Sequence, residues 1–278
     1  MLKRLGWLVL FLGWPALVWA HFLITVPSRG GGYGVRGQET SFWLLFGHPF
    51  EGILYDLKVP KAYMINPSGQ KESLSLVRIE VKDYASGKKR FGYRASYLPT
   101  RRGDYLLCVV SRPYLNEEEG VVWQDHMKVP FHVQVEKGWE NRCGFTLEMV
   151  PLTRPYGLRV GQVLRGRVLL QGKPAAGVTI EVEKFNGFYI PDEKLPVDAY
   201  GRINDPLITQ TLVTDEEGYF VVGFPEAGWW VVNASVSAGK THYANRTFPL
   251  VIRSGMWIYV FPSPHLPSTG LELLKGLH

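Results

Sequence analysis

Cysteine is scarce in this chain. Its 278 residues hold two, Cys108 and Cys143, with no Cys-x-x-Cys spacing, which argues against a metal site built from cysteine alone. Charged residues make up only 20%, against 46% hydrophobic, so the composition is that of a folded protein and not of a disordered one. Long helical periodic runs are nearly missing. Long apolar runs are missing too: Leu5–Leu12 is too short and too early for a permanent membrane span. The glycine-rich stretch Ser28-Arg29-Gly30-Gly31-Gly32-Tyr33-Gly34 lacks the Lys-Ser/Thr ending of a phosphate-binding loop, and no helix follows it. No Ser-x-Gly elbow suggests a nucleophile, and Glu117-Glu118-Glu119 reads as a charged loop. Lys88-Lys89-Arg90 and Arg101-Arg102 are short clusters at turns without interleaved aromatics, so no nucleic-acid binding is expected despite a formal charge of +6.

What the chain has is an exported look and a strand-rich texture. Lys3 and Arg4, the apolar run, Pro15 and the Val18-Trp19-Ala20 site read as a signal peptide over residues 1–20. Cleavage after Ala20 would make His21 the first residue of the mature protein. Its free α-amine and its own imidazole could then close a chelate ring on a metal. An α-amine has a pKa of about 7.7–8.0, so it deprotonates readily for a transition metal near neutrality. A periplasmic or extracellular location follows, with no transmembrane span after cleavage. In that setting the two cysteines favour a disulfide over two buried thiols.

The remaining chain alternates apolar and polar residues in short runs between turn signals, which predicts an all-β protein. Strands are expected at His21–Val26, Thr40–Phe46, Ser73–Val81, Gly92–Leu98, Asp104–Ser111 and Val129–Val135. After Pro151–Gly157, further strands are expected at Val163–Leu170, Val178–Phe185, Gln210–Thr214, Tyr219–Phe224, Trp229–Ser237 and Arg246–Ile252. The reading is two β-sandwich domains, 21–143 and 144–262, the second immunoglobulin-like, with a flexible tail over 263–278.

Histidines supply the chemistry. His48 stands at a strand end in Phe46-Gly47-His48-Pro49-Phe50-Glu51-Gly52. His126 follows Asp125, which could orient its ring. With His21 they offer an amine and three imidazoles, a set suited to Ni²⁺, Co²⁺ or Cu²⁺ and poor for Ca²⁺ or Mg²⁺. His132 is expected to face solvent, and His242, His265 and His278 to be surface residues without a role.

Several blocks also resemble a known family: His21-Phe22-Leu23-Ile24-Thr25-Val26-Pro27-Ser28, the His48-Pro49-Phe50-Glu51 block, the His126-x-Lys128-Val129 step, Leu147–Gly157, Gly166–Pro174 and Ala227-Gly228-Trp229-Trp230. In these the chain resembles periplasmic proteins of domain-of-unknown-function family 4198, in particular NikK-type members associated with energy-coupling-factor nickel/cobalt importers. The resemblance implies His21, His48 and His126 as metal ligands. It also implies a divalent transition metal as cargo (nickel or cobalt first, copper or zinc next) and a membrane importer as partner. The alternative is an enzyme like the copper-dependent polysaccharide monooxygenases, which also use a mature N-terminal histidine with a second, internal one in a β-sandwich.

Overall fold

Alternation along the chain produces strands almost throughout. The computed structural model describes residues 21–117 and 119–263; the expected signal segment and the chain beyond 263 lie outside the described residues. The first half forms β1 (Phe22–Pro27), β2 (Thr40–His48), β3 (Ile53–Tyr55), β4 (Lys61–Ile65), β5 (Lys71–Ser73), β6 (Leu76–Lys82), β7 (Lys89–Tyr97), β8 (Gly103–Val110), β9 (Tyr114–Asn116) and β10 (Val121–Val133). The second half forms β11 (Leu147–Pro151), β12 (Leu158–Arg159), β13 (Val163–Leu170), β14 (Lys173–Pro174), β15 (Thr179–Phe185), β16 (Thr209–Val213), β17 (Tyr219–Gly223), β18 (Gly228–Tyr243) and β19 (Arg246–Phe261). Two 3₁₀ turns, Asp192–Lys194 and Asp205–Leu207, are the helical elements among the described residues. No described helix is long and apolar enough to cross a membrane. The all-β expectation holds.

Three sheets result. One runs β1-β2-β7-β6 with β3 on β2, and a smaller one runs β11-β13-β14 with β17 on β13. Between them lies a ten-stranded sheet whose path is β16-β15-β18-β19-β10-β8-β4-β5. It crosses the expected 143/144 boundary, because β10 pairs in parallel with β19 from Val122↔Leu250 to Lys128↔Met256. β10 and β19 are both longer than the expected strands Val129–Val135 and Arg246–Ile252.

The shared strands feed two cores through their period of two. On β19, Trp257 packs with Phe22, Leu23, Phe42 and Leu44 in the first core, while Met256, Ile258 and Val260 pack with Leu164, Ile180 and Phe220 in the second. On β18, Val231 joins the first core, and Trp230, Val232 and Ala234 join the second. A third, smaller cluster on the far face of β4 and β8 holds Tyr63, Leu106, Phe145 and the bridged pair Cys108–Cys143. The disulfide closes a 35-residue separation. Such a loop contributes about 4 kcal/mol through the unfolded chain. At the other extreme of the fold, edge strand β6 exposes Arg78, Glu80 and Lys82, charges that discourage pairing with another chain.

Candidate functional site

His21 immediately precedes β1, and His48 ends β2. The antiparallel register Phe22↔Gly47, Leu23↔Phe46 places His21 opposite His48 one step further on. Cross-strand partners share a face, so the two imidazoles meet. Their ring centroids are 4.3 Å apart, tilted by 43°. Two metal–nitrogen bonds of about 2 Å each span at most about 4 Å. The separation of the two ring centroids is comparable with that span. Tyr55 of β3 closes the group, 4.9 Å from the His21 ring and 5.7 Å from that of His48. The ring of Phe46 stacks on His21 at 5.8 Å. His48 is buried and His21 half-buried.

Two glycines shape the turn that carries His48. A Cβ on Gly47 would sit 1.9 Å from the Ile53 carbonyl oxygen, so only glycine lets β3 lie against β2 here. Gly52 has φ +72 and would place a Cβ 2.2 Å from the Phe188 carbonyl oxygen. The Gly52 N–H donates to the His48 carbonyl at 2.9 Å, closing the turn.

The second half of the chain grips this turn from outside. Asn186 donates from Nδ2 to the Phe50 carbonyl at 2.7 Å, and the Ile190 N–H donates to the Glu51 carbonyl at 2.8 Å. The Phe50 N–H donates to Glu183 Oε1 at 3.0 Å, and Thr209 Oγ1 donates to Glu183 Oε2 at 2.8 Å. Burial, reinforced by the nearby Glu51 carboxylate, holds the Glu183 carboxyl well above the usual range. Burial also raises Glu51, opposed by a backbone hydrogen bond and reinforced by Asp205 and Asp192.

His126 does not join the pair. Alternation on β10 turns Asp125 and Met127 one way and His126 and Lys128 the other. Met127 packs in the first core, with Phe22 and Leu23. His126 instead lies against Phe145 on the opposite face, ring centroids 5.0 Å apart. Nor does Asp125 orient it. The Asp125 carboxylate accepts from Arg253 Nε at 2.6 Å, in an ion pair with both side chains fully buried. The Arg253 guanidinium also binds the Tyr114 hydroxyl and covers the Trp123 ring at 4.0 Å. Tyr114 in turn meets Phe46 at 4.7 Å, so this buried charge braces the wall behind His21. Among the described residues, no group of three or more His, Cys, Asp or Glu side chains gathers to hold a metal.

His132, expected to face solvent, is held in a network. Its Nδ1 lies 2.6 Å from Asp104 Oδ1, and its ring stacks on Tyr156 at 4.4 Å. Tyr33 from the glycine-rich loop meets it edge-on at 5.2 Å. Burial, then the Asp104 charge, pushes the Tyr156 phenol up. Asp104 is distant in sequence, and only the β8–β10 register His132↔Asp104 brings the two together. His242 bonds Thr247 across the β18–β19 hairpin at 3.2 Å, and His265 and His278 lie outside the described residues.

Residues 18–238 match the family model described as Domain of unknown function (DUF4198). The chain belongs to the DUF4198 family. The DUF4198 match ends inside β18, so β19, which joins the two halves of the central sheet, lies beyond it. No curated protein matches the chain. Among solved structures, a DUF4785 family protein from Legionella pneumophila is similar at 10% identity, over 77% of this chain and 52% of that one, with a TM-score of 0.30. Escherichia coli alpha-2-macroglobulin activated by porcine elastase is similar at 15% identity, over 90% of this chain and 21% of that one, with a TM-score of 0.25. Domains 5-6 of the S-layer protein SbsC are similar at 10% identity, over 87% of this chain and 98% of that one, with a TM-score of 0.25. The DUF4198 chain thus spans about half the length of the Legionella protein and about a fifth of the macroglobulin.

Proposed function

We propose that this DUF4198 protein is an exported metal-capture component. It holds a late first-row divalent cation, nickel or cobalt foremost, at His21 and His48 and passes it to an energy-coupling-factor-type importer in the membrane. The observation that carries the reading is the 4.3 Å approach of the two imidazoles across β1 and β2. Processing after Ala20 adds the His21 α-amine as a third nitrogen. Nitrogen donors without thiolate suit Ni²⁺, Co²⁺ and Cu²⁺, and Cu²⁺ binds most tightly of these whatever the cargo is. The Cys108–Cys143 bridge supports an oxidising compartment.

Mass spectrometry of the exported form tests the processing, and calorimetry with Ni²⁺, Co²⁺, Cu²⁺ and Zn²⁺ tests the site. Protein starting at His21 is expected to bind. His48→Ala, or one extra residue ahead of His21, weakens binding by about 100-fold, at or above what losing an outer-shell partner costs. His126→Ala leaves it unchanged. Affinity declines as pH drops through about 6.5, where free imidazole takes up a proton. Equal affinity in wild type and His48→Ala rejects the site.

With His126 outside the group, the donors reduce to an amine and two imidazoles. That set also fits a copper-dependent polysaccharide monooxygenase-like enzyme. Oxidised oligosaccharides released from chitin or cellulose by the copper-loaded protein with a reductant decide for the enzyme; none decides for capture.

A further inference from the structure

We propose that the cleft around His126 is a binding site for a small organic carboxylate with an apolar body, separate from the His21–His48 pair. The cleft, about 720 Å³, opens between β4–β5 and the segment 144–146, on the face of the central sheet that carries the disulfide. Tyr63, Phe145 and Val110 supply apolar lining, and Lys61 and Lys71 also line it. His126 is only 7% exposed, and its Nδ1 is buried with no hydrogen-bond partner. Native structures rarely leave such a group unsatisfied without a reason. Desolvation lowers its pKa, against the opposing pull of Asp125 and Glu148, so the ring sits in the cleft wall as a neutral donor and acceptor.

Charge selects the ligand. Neither Lys61 nor Lys71 forms an ion pair with a described carboxylate. The Lys71 ammonium instead lies 3.6 Å over the Tyr63 ring. Glu148, the carboxylate beside this face, is taken up by Lys128 Nζ and by the N–H groups of Cys143 and Gly144. The cleft therefore offers two cations without a counter-ion and no spare acid. An inorganic anion would leave the accessible apolar lining, the exposed Val59 with Leu74 and Leu76, unmet, and a neutral hydrocarbon would leave the ammoniums unanswered. A carboxylate on an apolar body answers both.

The wall is pre-formed. Cys143 is tied to Cys108 of β8, and the Tyr63 hydroxyl donates to the Cys143 carbonyl at 2.7 Å. Burial pushes the Tyr63 phenol up to about 12, so it stays a donor at neutral pH. Little ordering is left to be done on binding, which favours affinity.

The test is a titration with 3-phenylpropionate, its neutral analogue 3-phenylpropan-1-ol, and inorganic phosphate, followed by calorimetry and by nitrogen NMR of the histidine rings. The acid is expected to bind tighter than about 1 mM and to move the His126 ring signals. The alcohol and phosphate each bind at least about tenfold more weakly. The double variant Lys61→Ala with Lys71→Ala, both exposed and with its folding checked by circular dichroism, loses about tenfold for the acid. His126→Phe, which keeps a ring against Phe145, weakens the acid as well. Equal binding of acid and alcohol, tighter binding of phosphate, an unaltered lysine variant, or no saturation each overturns the proposal.

Discussion

Glu183 shows how far one residue's environment can depart from its type. Glutamate reads as a surface residue, yet here it is buried between the turn after His48 and Thr209. Its folded-state pKa lies above the free value of about 4.3. Between those two values the native state keeps a proton that the unfolded chain releases, so stability falls as pH rises through the window. Glu183→Gln keeps an oxygen for the Phe50 N–H and removes the ionisation. It is expected to raise Tm at pH 7–8 by about 2–4 °C for each kcal/mol relieved, with the gain vanishing near pH 4. Scanning calorimetry across pH checks this, and a gain constant with pH would reject it. His48 and His126 make the complementary point. Both look alike in sequence, but His48 ends β2 in one sheet and His126 sits in β10 of another, where strand parity turns it away from the first core.

Among the elements, β3 is the least legible and the most consequential for the site. Three residues, Ile53–Tyr55, give no pattern to read, but they bring Tyr55 to the two histidines. Gly47 makes the approach feasible. Gly47→Ala must displace β3, at a cost in the overpacking range of about 1–3 kcal/mol. It should also weaken the proposed metal binding, because Tyr55 and the His48 turn shift together. Gly223→Ala, where a Cβ meets nothing within 4 Å, should stay within about 0.5 kcal/mol. Urea melts of the two variants distinguish them. β10 starts well before the expected Val129 for a physical reason. The stretch Trp123–Lys128 carries Asp125, His126 and Lys128, polar residues that do not suggest a buried strand. In the fold Arg253 neutralises Asp125 and Glu148 neutralises Lys128, so the charges are buried inside a strand.

At the scale of the whole molecule, the two halves are not independent bodies. β18 and β19 alternate their side chains between two cores, and the Trp257 indole donates to the Leu23 carbonyl at 3.0 Å, beside His21. A chain ending at Val150 therefore strips β19 from β10 and empties the place of Trp257. It should lose near-UV circular dichroism, and a folded fragment would contradict this. Trp257→Ala should cost about 3–5 kcal/mol and lower the melting of both halves in one transition. The clamp on residues 49–51 by Asn186 and Ile190 belongs to the same coupling, since it lets the second half set where His48 points.

The sequence alone determined the all-β class, most strand positions in both halves and the DUF4198 resemblance, because alternation and turn chemistry are local. It also marked His21, as the expected first residue of the mature chain, and His48 and His126, beside strand ends, as candidates. Only the tertiary structure decided that these two meet and that His126 faces a different cleft. The same holds for the Arg253–Asp125 pair, the His132–Asp104 contact and the sheet shared by both halves. Each of these depends on register and on which strand lies beside which, and pairing between residues 28 or 128 positions apart leaves no periodicity to read.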